Sequence, residues 1–245
     1  MTAASSNEFV VRISLSSDGL CRPYLVGECL SVPQNAEFIL AYVQKQLENM
    51  FPSLGTSVEI SLAEVVRAIE LTSRCVRMTK ETKFSEFNYL TSQHNASFLY
   101  RLSREVAKDT FRLEVATKLF LLNKALNGID LYYEVEMPDY FLIGHTVGIV
   151  FAKATYGNYC MFHHGCTVGR NGDDRPLLED GVSLYPNSSI IGKCHVRSNT
   201  VLTPGVQLVN QDTPGNCYVF MGERGKPVFK ELNEYYPYRF YRQID

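Results

Sequence analysis

The chain has 245 residues, 45% of them hydrophobic and 20% charged, with 24 Lys and Arg against 26 Asp and Glu. At roughly 100 to 200 residues per domain this is one large or two small domains with a buried core, which excludes a disordered chain, a collagen-like fibre and a small disulfide scaffold. A net charge of −2 without a long basic run leaves no electrostatic footprint for duplex nucleic acid or an anionic membrane surface, and neither partner is expected.

The stretch from Met1 to Glu8 lacks the basic and apolar regions of a secretory signal, so export is not expected. Val10, Val11, Ile13 and Leu15 suit a strand or an ordered arm. From Asn35 to about Gly128 the apolar spacing is helical. Ala36, Phe38, Ile39, Tyr42, Val43, Leu47 and Phe51 recur at three- and four-residue steps until Pro52 ends the run. Leu62 to Met78 follows, with Ser61 and Glu64 spaced as a capping box. Phe98 to Ala107 and Leu113 to Leu126 predict two more helices, the last closed by Asn127-Gly128. The most apolar stretch, Tyr140 to Val150, is about half the length of a membrane helix and contains His145, so no span is predicted. Cysteines at 21, 29, 75, 160, 166, 194 and 217 are odd in number and lack a disulfide rhythm; free thiols and a cytoplasmic location are expected.

After Pro138 the helical period gives way to a period of six. Ile143, Ile149, Thr155, Met161 and Thr167 are followed by Leu178, Leu184, Ile190, Val196, Leu202 and Leu208, with five residues inserted in the polar stretch 170–176. Such a repeat predicts a left-handed parallel β-helix. Three six-residue sides make one coil, coils stack about 4.8 Å apart, and the repeated residue fills the interior. Gly144, Gly157, Asn158, Asn187, Gly192, Asn199 and Gly205 suit the corners. The predicted fold class is thus mainly β with α: a helical domain over 1–130, a β-helix over 131–215 and a tail over 216–245.

In this register His145 and His163, one coil apart, share a face as a stacked pair, and the same column continues to Pro186 and Pro204. Two neighbouring imidazoles favour their neutral forms, as a general base requires. Glu134, Glu136 and Asp139 are upstream carboxylates within reach of an orienting role. Cys160, His163, His164 and Cys166 offer four zinc-ligand types. On a flat strand His163 points away from the other three, so no metal site is expected from this segment. The loop carrying Asp173, Asp174 and Arg175 is either a functional element or a solvated excursion.

These residues resemble the hexapeptide-repeat acyltransferases, in their serine acetyltransferase-like branch. The segment His145-Thr-Val-Gly-Ile-Val150 resembles the His-x-x-Gly-Ile-Val that carries that family's catalytic histidine, and Thr167-Val-Gly169 resembles the Thr-Leu-Gly before its active-site loop. Leu121 to Leu126 and Tyr133-Glu-Val-Glu-Met-Pro138 resemble the junction between its helical domain and its β-helix. The resemblance covers Leu113 to Val209. It implies a homotrimer that uses acetyl-coenzyme A in clefts between neighbouring β-helices, with no metal. His145 is then the general base and Glu136 its acidic partner, while the register adds His163 as a second catalytic imidazole. Gly169, Arg170, Pro186 and Pro204 are expected to line the coenzyme wall, and Asp174, Arg175 and His164 to contact the acceptor.

Three departures bear on the acceptor. Gly144 stands where the family has Asp, Arg175 stands where the family's longer loop carries a second histidine, and Ile is not the last residue. Cys217-Tyr-Val-Phe-Met-Gly222 resembles relatives that acetylate sugar hydroxyls. A hydroxyl of a carbohydrate or sugar nucleotide is therefore expected first, and L-serine second. A non-catalytic trimeric β-helix scaffold is the other reading, because fold alone does not establish function. Tyr132, Tyr133, Tyr235, Tyr236, Tyr238 and Tyr241 either line an acceptor groove or pack the tail.

Overall fold

The computed structural model describes residues 32–52, 59–80 and 86–242. The arm expected at Val10 to Leu15, and Cys21 and Cys29, lie outside the described residues.

Four α-helices come first: α1 (Val32–Met50), α2 (Leu62–Met78), α3 (Ser92–Ala107) and α4 (Leu113–Asn127). In α1 the buried stripe is Ala36, Ile39, Val43 and Leu47, whereas Phe38 is half exposed and meets Tyr42 and Tyr89 at the surface. The capping box of α2 is present in both directions: the Ser61 N–H donates to Glu64 Oε2 at 2.8 Å and the Glu64 N–H donates to Ser61 Oγ at 3.2 Å. α3 begins six residues before Phe98 and is buried almost all round, because it runs between α2 and α4. Its first turns are polar, which hid them from an apolar count. Asn95 is nevertheless buried, its amide oxygen accepting from Asn127 Nδ2 at 2.8 Å, while Asn127 also donates to Asn123 Oδ1 at 2.9 Å. Gly128 closes α4 at φ 64°, a left-handed cap that glycine adopts without strain.

Short strands follow: β1 (Ile129–Leu131), β2 (Phe141–Gly144), β3 (Ile149–Phe151), β4 (Thr155–Tyr156), β5 (Cys160–His163), β6 (Thr167–Gly169) and β7 (Leu177–Leu178). They continue as β8 (Ser183–Leu184), β9 (Ser189–Ile191), β10 (His195–Val196), β11 (Thr200–Leu202), β12 (Gln207–Val209), β13 (Cys217–Met221) and β14 (Pro227–Glu231). They form the three faces of a parallel β-solenoid, ordered β1-β3-β6-β9-β12, β4-β7-β10 and β2-β5-β8-β11-β13-β14; the pair β13–β14 alone is antiparallel. Parallel pairing thus begins at Ile129 and extends to Val219.

The interior is filled by three stacked columns. Ile143, Phe162, Leu184, Leu202 and Val219 form one, Phe151, Val168, Ile190 and Leu208 the second, and Tyr156, Leu178 and Val196 the third. From Leu178 to Leu208 the predicted six-residue register holds at every rung. Before Leu178 it does not. The interior residues are Tyr156, Phe162 and Val168, each one position after the expected Thr155, Met161 and Thr167, and the column partner of Val168 is Phe151 rather than Ile149. Thr155 is exposed; Met161 is buried on the outer face, in register with Ser183 and Val201. The steps explain this. Eight residues separate Ile143 from Phe151, five separate Phe151 from Tyr156, and ten separate Val168 from Leu178. The inserted residues are therefore divided between the β2–β3 corner and the β6–β7 loop.

Beyond β14 the chain turns back along the outer face of the β2–β14 sheet. Leu232 and Tyr236 pack on Val201, and the Tyr241 hydroxyl donates to the Cys160 carbonyl at 2.9 Å. The segment ends against the end of α2: Thr79 bridges Tyr241, the Lys80 N–H donates to the Phe240 carbonyl at 2.7 Å, and the Arg242 N–H donates to that of Met78 at 2.8 Å.

Candidate active site

The β2–β3 corner is wider than the corners stacked below it. Backbone hydrogen bonds align Val147 with His164, His164 with Pro186, and Pro186 with Pro204. This leaves His145 and Thr146 as the extra residues of the first corner. Thr146 turns inward and is buried, while His145 takes φ 59° and projects its ring into solvent. A non-glycine residue in the left-handed region costs on the order of 1 kcal/mol, a local strain of the kind that collects at functional sites.

The histidine column differs from the expected one. His145 faces His164, with ring centroids 5.8 Å apart, and His163 lies one register position away, beside Gly144. Pro186 and Pro204 consequently share their column with His164 instead of His163. The cause is the widened corner, which moves His145 off the register that a uniform coil would give it. His163 meets His164 edge-on at 6.5 Å and lies over Tyr185 at 4.9 Å. Partial burial holds the His163 pKa below its ordinary value, helped by the neighbouring His145 and His164, so its neutral form prevails at neutral pH.

Gly144 has a definite role in this packing. A Cβ there would stand 2.9 Å from Nδ1 of His163, so the imidazole occupies the room that a side chain at 144 would need. Where the family resemblance leads one to expect an acid, this chain has the ring of His163.

The other expected residues are distributed in two further places. Gly169 ends β6 on the far edge of the β3–β6 face, and Arg170, Asp174 and Arg175 are exposed on the loop that follows. That loop closes on itself through paired Asn171 and Asp174 backbone hydrogen bonds, both 3.1 Å, and Asn171 leans on Gly192. The three residues of β6 span about 10 Å between this edge and the histidine corner, and among the described residues no hydrogen bond or ring contact joins the two groups. Glu136 is exposed before β2, and among the described residues neither a hydrogen bond nor an ion pair ties it to His145. Glu134 pairs with Lys153, and Asp139 with Arg74 at 2.8 Å. Cys160 and Cys166 face the core whereas His163 and His164 do not, and among the described residues no group of His, Cys, Asp and Glu is gathered for a metal ion. Burial raises the Cys160 thiol to about 12, which removes it as a nucleophile. The described cysteines, Cys75, Cys160, Cys166, Cys194 and Cys217, are free and buried.

Between the two edges, below Asp130 of β1, which pairs with Lys124, runs a wall without charge. Val150, Thr167, Ser189 and Gln207 form one outward row, and Gly169, Ile191 and Val209 the next. Small apolar and hydroxyl groups in an extended row suit a thin chain that alternates methylenes and amides, as the pantetheine arm of coenzyme A does. Arg170 and Arg175 stand exposed at its end.

A feature the sequence did not reveal adjoins His163. A groove of about 340 Å³ descends from Tyr185, lined by Thr203, Tyr218, Phe220, Lys230 and Tyr236. Tyr236 comes from the returning tail and Lys230 from β14, and neither the period of six nor a local motif signals that they meet Tyr185. Of the tyrosines considered as groove residues, Tyr236 is in this groove, Tyr132 and Tyr133 pack on the helices, and Tyr241 is buried beneath the tail.

No family model matches this chain, and no curated protein matches it in sequence. Solved structures do match. Serine acetyltransferase from Vibrio cholerae O1 biovar El Tor N16961 superimposes with a TM-score of 0.61 at 14% identity, over 84% of this chain and 92% of that one. Neisseria gonorrhoeae serine acetyltransferase in complex with serine gives 0.56 at 22% identity, over 81% and 95%. Brucella abortus strain S19 serine acetyltransferase in complex with coenzyme A gives 0.56 at 18% identity, over 82% and 94%. The chain therefore shares the fold of these structures, a helical region followed by a parallel β-solenoid. The likeness is to the serine acetyltransferases. Among the described residues no helix is long and apolar enough to cross a membrane.

Proposed function

We propose that this chain is an acetyl-CoA-dependent O-acetyltransferase in which His145 is the general base. The observation that carries the reading is His145 itself, held exposed by left-handed backbone at the one widened corner of its column and followed by the Gly-Ile-Val of the family segment. In the proposed step the imidazole takes the proton of the acceptor hydroxyl as that oxygen attacks the thioester carbonyl carbon. The tetrahedral intermediate collapses with cleavage of the C–S bond, and the imidazolium returns the proton to the thiolate, leaving an O-acetyl ester and coenzyme A. His163, filling the space beside Gly144, is proposed to position His164 and through it His145, in place of Glu136.

The likeness to serine acetyltransferases, one of them a serine complex, supports L-serine as acceptor better than the sugar hydroxyl that the sequence put first. L-serine is accordingly the acceptor we propose. The aromatic groove beside His163 favours a sugar hydroxyl as the second reading. The uncharged wall with Arg170 and Arg175 at its end is proposed to take coenzyme A. A homotrimer would bring the loop of one copy to the histidine corner of the next, uniting the two edges that one chain keeps about 10 Å apart. The requirement for acetyl-CoA goes with a cytoplasmic location.

The test is thiol release from acetyl-CoA with L-serine, sugars and sugar nucleotides, alongside coenzyme binding by calorimetry and the mass of the assembly by light scattering. Turnover with L-serine is the expected result. Absence of both turnover and coenzyme binding would overturn the transferase and leave the scaffold. Restored activity on mixing His145→Ala with Arg175→Ala chains would locate the site between copies.

A further inference from the structure

The groove below His163 takes no part in the proposed transfer to serine, yet it is built as a binding site. Its walls are the rings of Tyr185, Tyr218, Phe220 and Tyr236, with Tyr218 edge-on to Tyr236 at 5.8 Å and inclined to Phe220 at 6.2 Å. The Tyr185 and Tyr236 hydroxyls hydrogen-bond to each other, which fixes one wall to the other. Two polar groups remain for a ligand. Thr203 gives its proton to the Val219 carbonyl at 2.8 Å, so its hydroxyl oxygen is left as an acceptor. Lys230, opposite Tyr218 across the β13–β14 pair, lines the groove and has no ion pair among the described residues.

This chemistry selects among occupants. A purely apolar chain would leave the Thr203 oxygen and the Lys230 ammonium without a partner, at a cost of about 1–3 kcal/mol each. A pyranose has apolar C–H faces that lie against aromatic rings and a rim of hydroxyls that meets the polar groups. No carboxylate lines the groove, so the lysine adds a preference for a negatively charged ring. We infer that the groove is a subsite for an anionic pyranose unit of an oligosaccharide.

Its position sets the length of that molecule. The register carries Gly144, His163, Tyr185, Thr203 and Phe220 down one column. At about 4.8 Å per coil, Thr203 lies roughly 14 Å below Gly144, the span of two to three linked sugar rings. A single sugar in the groove does not reach His145; an oligosaccharide reaches both. The inference therefore builds on the sugar reading of the acceptor, but binding in the groove needs no turnover and is measured without it.

The experiment titrates the full chain with trigalacturonate, with neutral maltotriose, and with UDP-glucuronate, following heat. Lys230→Gln and Tyr218→Ala are titrated in parallel, and their melting temperatures report on the fold. Trigalacturonate is expected to bind about tenfold more tightly than maltotriose, and to weaken about tenfold in either variant. If UDP-glucuronate is the tighter of the two acidic probes, the subsite stands and its source is a sugar nucleotide instead of a free chain. Equal affinity for acidic and neutral probes, or unchanged affinity of Lys230→Gln, overturns the inference. Lys230-dependent binding in a protein that neither turns over an acceptor nor binds coenzyme A would leave the subsite and remove the transferase.

Discussion

The upper and lower coils of the solenoid use the same repeat to different ends. Below Leu178 every interior residue recurs at six, from Leu184 through Ile190, Val196 and Leu202 to Leu208, and the corners are uniform. Above it the steps are eight, five, six, six and ten, and His145, Thr146 and the loop 170–176 are what the extra residues supply. The regular coils hold a straight stack together by burial, each Leu or Ile contributing about 1.5–3 kcal/mol. The irregular ones spend their extra residues on displacing side chains outward. Departure from the repeat, more than any residue type, marks the candidate site.

That contrast can be broken most forcefully with two histidines, one in each region. His145→Ala is expected to lower kcat by about 10²–10⁴-fold without moving Tm, while His195→Ala in the regular coils leaves kcat alone; steady-state kinetics with parallel melting curves decide. Equal losses in both would end the distinction. Next in size, Leu184→Ala should destabilise by about 2–5 kcal/mol in urea unfolding, with coenzyme affinity of the folded fraction unchanged. Gly144→Ala is expected to push the His163 ring away and cost about tenfold in kcat, and adding His163→Ala should cost little more, since the two substitutions act on one contact. Gly205→Ala, with open space around its Cβ but φ 76°, should cost only about 1 kcal/mol of stability and no activity.

The smallest effect concerns acid. Glu179 accepts from the Ser198 N–H and hydroxyl, both at 2.9 Å, and from His195 at 2.6 Å, bonds that hold its pKa below the ordinary carboxylate value. A lowered folded pKa means that this stabilisation is complete above the unfolded value and disappears as pH falls through the folded one. Glu179→Gln should thus lose roughly 1 kcal/mol or less at pH 7, discounted for its exposure, and progressively less as pH falls below the ordinary carboxylate value.

The helices and the lower coils were legible because each buries a stripe of one period: Val65, Ala68, Ile69, Thr72 and Val76 in α2, and the six-step series from Leu178. The upper coils were misread for a specific reason. Met161-Phe162 and Thr167-Val168 each offer two adjacent residues able to fill a rung, and a gain of two residues at one corner followed by a loss of one shifts the phase without breaking the pattern. Phe151, Tyr156 and Phe162, the bulkier choices, contact one another in the core and were the available signal. His145 was legible from its segment. Its partner was not, because whether His163 or His164 faces it depends on that phase. The groove was invisible to any local reading, since Tyr185, Tyr218 and Tyr236 are brought together by the returning tail.

That tail also changes how the molecule comes apart. A stack of coils is a one-dimensional array, in which each layer is held by its neighbours and the last one frays at little cost. Here the strand after the last coil reverses and is hydrogen-bonded at Phe240 and Arg242 to the end of α2, ahead of the first coil in sequence. The array is thereby joined end to end. Complete release of the tail therefore breaks its bonds to α2, and this link is expected to couple the last coil to the helical region instead of leaving that coil to fray alone.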